Sequence, residues 1–362
     1  MDLAGEPQSL GPERPTLAER FVKLFPLPYA AACLLVTILV GPPLQFLVIY
    51  LGTFDLAKTI AIVVTSVYTT TSFQIGTIPV WQGVTSQVIW STTVFALLYM
   101  TRFMRRKIAN SEVELQSISP QGEAALHRAF GRISRTPMVL PIAAAFFSLS
   151  ILPLYDQMQA YASLPAVGWS VASNLVVSLI FATFIWVYFR SLWGLHLLGK
   201  ESLRLKPHYE DPMLGVRPVG SITLSLFFAL FLVGGLSTLS LVMSQDVVGI
   251  VILFALVSFG TLMFFLPLLS IHERMVQEKR SQQKLVLGRF SELTTASSKS
   301  ESHLEKKIDR LTELLTFQAL KDQITTLPTW PLDIGILSRF LAVILSVTAI
   351  LISRIIAVIL QI

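Results

Sequence analysis

Seven stretches of about twenty apolar residues divide this chain, near residues 27–51, 81–103, 138–155, 167–188, 219–243, 247–270 and 335–358. A bilayer core about 30 Å thick is crossed by roughly 20 helical residues. Backbone N–H and C=O groups find no water there, so each stretch is expected to close its hydrogen bonds internally as an α-helix. Core helices of a large soluble protein would instead carry a polar face. The stretch Ile222–Met243 has only scattered Ser and Thr. With 14% charged residues and a mean hydropathy of +0.66, the chain also falls well short of the roughly 25% charge of soluble proteins.

The basic residues give the expected threading. Arg102, Arg105, Arg106, Lys107, Arg128, Arg132 and Arg135 fill the gap after the second stretch. Arg190, Lys200, Arg204, Lys206 and Arg217 follow the fourth, and ten more lie between Arg274 and Lys321. The alternate gaps hold Lys58 alone, so twenty-two basic residues stand against one. Lys and Arg concentrate on the cytoplasmic side of membrane proteins. That predicts a cytoplasmic N-terminus and an external C-terminus. Residues 59–79 begin apolar and then run Thr69, Thr70, Thr71, Ser72, Gln74. They suit a re-entrant or externally packed segment, with an eighth span as the alternative. The net charge of +6 sits beside the spans, where it meets anionic lipid, so the expected partner is the bilayer and not nucleic acid. The single cysteine, Cys33, excludes a disulfide within the chain and a zinc site made of cysteines. The first 25 residues are polar and acidic and do not read as a cleaved signal.

Four regions follow: a cytoplasmic tail (residues 1–26), a six-span bundle with its loops (27–270), a cytoplasmic segment (271–334) and a final span (335–362). In the tail, Thr16 and Glu19 form a capping-box pattern. Leu17, Phe21, Leu24 and Phe25 then recur at helical spacing before Pro26 and Pro28. A loop helix starting near Ser119-Pro120 places Leu126, Phe130 and Ile133 on one face. The sixth helix is expected to run past the membrane through 271–293. After a polar break, Leu304, Ile308, Leu311 and Leu315 repeat as a short heptad seam. The segment therefore reads as an antiparallel helical hairpin, closed on itself or on another subunit of a homo-oligomer.

Two elements concentrate polar chemistry. The loop KPHYEDPMLGVRPVG holds His208, Glu210, Asp211 and Arg217 among Pro207, Pro212, Gly215 and Pro218. Such density of Pro and Gly fixes a loop. A His near acids serves a surface salt bridge, a ligand or gating site, or general-base catalysis. The string LPTWPLDIG sets Trp330 in a stiff turn and places Asp333 where a carboxylate caps the last helix. Arg217 is expected to pair with Asp333 or Asp211, and Trp330 to pack over Pro212 and Pro218, joining the two elements as a hinge. Together they resemble a family of uncharacterised prokaryotic multi-pass membrane proteins with a Pro-Thr-Trp-Pro element (here Pro328 to Pro331) entering the last helix. The resemblance covers roughly residues 190–350. It implies a prokaryotic plasma membrane and no mechanism.

Ionisable residues are nearly absent inside the spans, Arg339 and Arg354 of the last one lying near its ends. Helix breakers are common instead: Gly41-Pro42-Pro43, Pro141, Pro153, Gly234-Gly235 and Pro267. Breaks offer backbone carbonyls to a solute, or serve as packing kinks. The expected fold is an all-α polytopic bundle of about seven membrane helices with a cytoplasmic hairpin. The functional classes are a channel or passive transporter first, then a sensor or scaffold acting through the hairpin, then a membrane enzyme. No cofactor or metal signature is present in the sequence.

Overall fold

The computed structural model describes residues 15–54, 80–160, 164–201, 213–243, 247–297 and 330–360, with isolated positions between. Among these residues all regular structure is helical. In chain order the helices are α1 (Leu17–Lys23), α2 (Tyr29–Val40), α3 (Pro42–Thr53), α4 (Val80–Asn110), α5 (Glu112–Ile118) and α6 (Glu123–Phe130). They continue with α7 (Val139–Ala160), α8 (Leu164–Lys200), α9 (Arg217–Met243), α10 (Val247–Ser297) and α11 (Ile334–Leu360). Among the described residues, three segments are long and apolar enough to cross a membrane: Val167–Lys200, Arg217–Leu239 and Phe254–Gly288. Shorter apolar helical segments occupy Tyr29–Val40, Thr136–Ile151 and Ile334–Ala349. These lengths point to a membrane setting.

The core sits where α9 packs against α4 and α10, with α8 against α4, α7 and α10. The reason is a seam on α9: Val219, Thr223, Leu226, Leu230 and Val233 repeat at four and three residues and are all buried, the spacing that keeps one helical face on its neighbours. Close approach depends on missing side chains. A Cβ at Gly194 of α8 would sit 2.6 Å from the ring of Phe130. One at Gly260 of α10 would sit 2.3 Å from the ring of Phe231 on α9.

The expected first span departs from a single helix. Gly41 is extended (φ −93°, ψ −170°) and separates α2 from α3, each 12 residues long. In a continuous helix the carbonyls of Ile38 and Leu39 would accept from residues 42 and 43. Those are Pro42 and Pro43, which have no N–H. The helix therefore ends on the Gly41 N–H, which reaches the Thr37 carbonyl at 2.8 Å, and restarts with proline in its first turn.

The loop helix α6 buries Leu126 and Phe130 on one side, and Ile133, in the turn that follows, is buried with them. The helix starts after Gly122, whose φ is +50°. The sixth stretch is helical without interruption to Ser297, four residues beyond the expected 293. Residues 59–79, apart from Thr59, lie outside the described residues, as do Leu304, Ile308 and Leu311 of the heptad seam. Leu315, the seam's described member, is exposed. Lys279 of α10 donates to the Thr325 carbonyl at 2.7 Å, which sets Thr325 beside α10.

Candidate functional site

Three places gather polar groups, and each is built by one short element set on a long helix. At the break, Ser91 of α4 lies against Gly41; a Cβ there would be 3.4 Å from its Oγ. Ser91 donates to the Gln87 carbonyl one turn earlier, and Gln87 itself is buried. Thr37 is buried and donates to the Cys33 carbonyl at 2.8 Å. Among the described residues, the break thus meets the hydroxyls of Ser91 and Thr37, with buried Gln87 one turn away along α4. Gly41 lies 12 residues from Tyr29 and Ser91 lies 11 from Arg102. At 1.5 Å per residue both are roughly 17 Å from the basic end of the helices.

The second place is the junction before α11. A tight turn precedes α9: the Val216 N–H reaches the Met213 carbonyl at 3.1 Å, with Leu214 at φ +55° and Gly215 at +84°. Glycine accepts that conformation without cost, whereas a bulky side chain rarely does; Leu214 is held there by burial of its side chain. Arg217 opens α9 and pairs with Asp333 at 3.4 Å, both partners being more than a third exposed. Asp333 stands immediately before α11, and its backbone carbonyl accepts from Ile336 and Leu337 at 2.9 Å. Its Oδ2 also lies near Gly335, over the first turn. Gly220 brings α9 close to the turn, since a Cβ there would be 2.4 Å from the Pro331 carbonyl oxygen.

The Trp330 ring stacks on His272 of α10, centroids 4.2 Å apart and 21° between planes; Pro212, one of the two prolines it was expected to cover, lies outside the described residues. The ring also meets Phe265 edge-on at 6.2 Å. Beneath lies a ring cluster in which Phe264 stacks on Phe340 at 4.1 Å and Phe227 contacts both. His272 escaped the sequence reading because it is 58 residues from Trp330, and nothing local marks it. The loop residues His208, Glu210 and Asp211, with Pro212, lie outside the described residues. The structure therefore joins Arg217, Trp330 and Asp333 of the candidate residues at one corner.

The third place joins α1 to α4. Thr16 and Glu19 form the expected capping box: the Thr16 N–H donates to Glu19 Oε2 at 2.9 Å and the Glu19 N–H to Thr16 Oγ1. The same carboxylate is buried against the Arg105 guanidinium. Burial pushes Arg105 down to about 10, still charged at neutral pH. The Arg102 guanidinium lies over the Tyr29 ring, 3.9 Å from its centre, and the Tyr29 hydroxyl donates to the Leu98 carbonyl at 3.0 Å. Of the helix-spaced apolar residues of this segment, Phe21 and Phe25 are partly buried against the core and Leu24 is exposed, while Ala18, Glu19 and Val22 are buried against the bundle.

The basic gaps are also tied together. Arg128 pairs with Glu201 at 3.2 Å, and Arg274 donates to the Lys200 carbonyl at 2.8 Å. Comparison with family models, with curated proteins and with solved structures gives no match.

Proposed function

We propose that this chain is a multi-pass plasma-membrane protein of the channel or passive-transporter class, working as a homo-oligomer, with the break between α2 and α3 on its solute path. The observation that carries this reading is the pair of carbonyls, Ile38 and Leu39, whose helical donors Pro42 and Pro43 cannot supply, set beside Ser91, Gln87 and Thr37. Discontinuous helices at mid-membrane depth are how several transporters present backbone oxygen to a solute. Neutral hydroxyls and an amide favour passive passage over coupling to protons, which generally uses ionisable groups.

Purified protein in liposomes tests it. Ions or small uncharged solutes should cross faster than in protein-free vesicles. Ser91→Val should slow them, and Pro42→Ala with Pro43→Ala, which restores two N–H donors, should slow them further. Wild-type vesicles as tight as empty ones would refute the reading.

The threading proposed is a cytoplasmic N-terminus and an external C-terminus in a prokaryotic cell, with seven spans. The charge count supports it, as do the contacts that draw the basic gaps together around Glu19, Lys200 and Glu201. A reporter active only in the cytoplasm should be silent after Ile362 and active when inserted near Ser298.

One observation favours a sensor or scaffold as a second reading. Helix α10 runs 51 residues unbroken, roughly 75 Å at 1.5 Å per residue and far more than a bilayer needs. Such a rod links membrane-depth packing at Gly260 to the segment beyond Ser297. If the vesicles stay tight but a probe at Ser297 shifts on ligand addition, this second reading replaces the first.

A further inference from the structure

We infer that the pocket between α1 and α4 is a phosphate-binding site, with an anionic lipid headgroup the source its position favours. The lipid source rests on the membrane placement proposed above; the phosphate chemistry does not. The pocket holds about 250 Å³ and, among the described residues, is lined by Lys23, Arg102, Arg105 and Arg106 with one carboxylate, Glu19. Pockets for drug-sized molecules run to roughly 300–1,000 Å³, so the fit is to a headgroup or a small anion. Four cations around one space repel each other, and Glu19 neutralises only one of them. An anion resolves what remains.

The cations are also positioned before any ligand arrives. Glu19 is engaged by Arg105 and by the Thr16 N–H, which fixes the floor. The Arg102 guanidinium is held over the Tyr29 ring, itself tied to the Leu98 carbonyl. A guanidinium already seated on a ring offers its N–H fork to a phosphate oxygen without first being ordered. Lys23 and Arg106 are exposed at the rim. Arg102 lies at the end of the apolar stretch 81–103, the depth at which lipid phosphates sit and attract basic side chains.

The test uses the full chain in a neutral detergent, with saturable thermal stabilisation as readout and three probes: short-chain phosphatidic acid, short-chain phosphatidylcholine and inorganic phosphate. Phosphatidic acid should stabilise the protein and phosphatidylcholine should not. Lys23→Gln with Arg106→Gln, both exposed and safe for folding, should weaken the phosphatidic acid effect by about tenfold, the equivalent of one good charge-assisted contact. Arg280→Gln with Lys284→Gln removes equal charge from exposed positions on α10 and should change it by less than about twofold. Equal stabilisation by inorganic phosphate, lost in the same pocket variant, would assign a soluble phosphate ligand to the same site. Three results would overturn the inference: equal loss in both variant pairs, equal stabilisation by phosphatidylcholine, or no saturable effect with any probe.

Discussion

The corner that anchors α1 and the corner that anchors α11 do the same mechanical work with opposite chemistry. Each fastens a helix to its neighbours: the seven-residue α1 to α4, and α11 to α10 and α9. At α1 the fastening is a buried ion pair, Glu19 with Arg105, each side chain under a tenth exposed. At α11 it is ring packing, Trp330 on His272 and Phe265, and the ion pair alongside, Arg217 with Asp333, is open to solvent. Both corners show an acid facing an arginine, yet burial makes them unlike. Removing one member of a buried pair strands a charge, whereas an exposed pair exchanges protein partners for water at little cost.

That contrast orders three outcomes, each read as unfolding in detergent. Glu19→Gln keeps the size and the Thr16 cap but leaves Arg105 buried without its counter-charge. It should cost about 3–5 kcal/mol, and adding Arg105→Met should recover most of the loss. If the double variant is no better than the single, the pair is not the fastening. Trp330→Ala comes next, at about 2–3 kcal/mol, below the range for a fully buried ring because Trp330 is only half-buried. Trp330→Phe should retain most of that, and a loss as large as for Ala would shift the weight from ring stacking to the indole N–H. Asp333→Asn should be smallest, about 0–1 kcal/mol. A cost matching that of Glu19→Gln would erase the distinction between the two corners.

What was legible in the sequence was local. The capping box at Thr16 and Glu19, the Leu126–Phe130–Ile133 face and the run of α10 past the apolar stretch all depend on residues within a few turns. The pairing of Arg217 with Asp333 was also anticipated, because both flank rigid turns next to apolar stretches. The role of Arg105 was not. In a list of basic residues it looks like any other orienting charge, since a sequence shows charge and not burial. The stacking of His272 under Trp330 failed to show for a related reason, as contact across 58 residues leaves no periodic mark. Gly41-Pro42-Pro43 was visible as a breaker, but only geometry shows that it parts one apolar stretch into two helices. The loop carrying His208, Glu210 and Asp211 stays with its sequence reading alone.

The absent side chains in the core also limit how α10 moves. Gly260 of α10 receives the ring of Phe231 from α9, and Gly199 of α8 receives Ser270 of α10, where a Cβ would be 2.3 Å from the Ser270 hydroxyl. These notches lie ten residues apart on α10, roughly 15 Å along its axis. Each acts as a detent: sliding the rod lengthwise would drive the Phe231 ring and the Ser270 side chain into backbone simultaneously. Rotation or bending of α10 beyond Met275 leaves both seated. A displacement of α10 near Gly260 would therefore reach its far end as a swing or a twist, and not as the stroke of a piston.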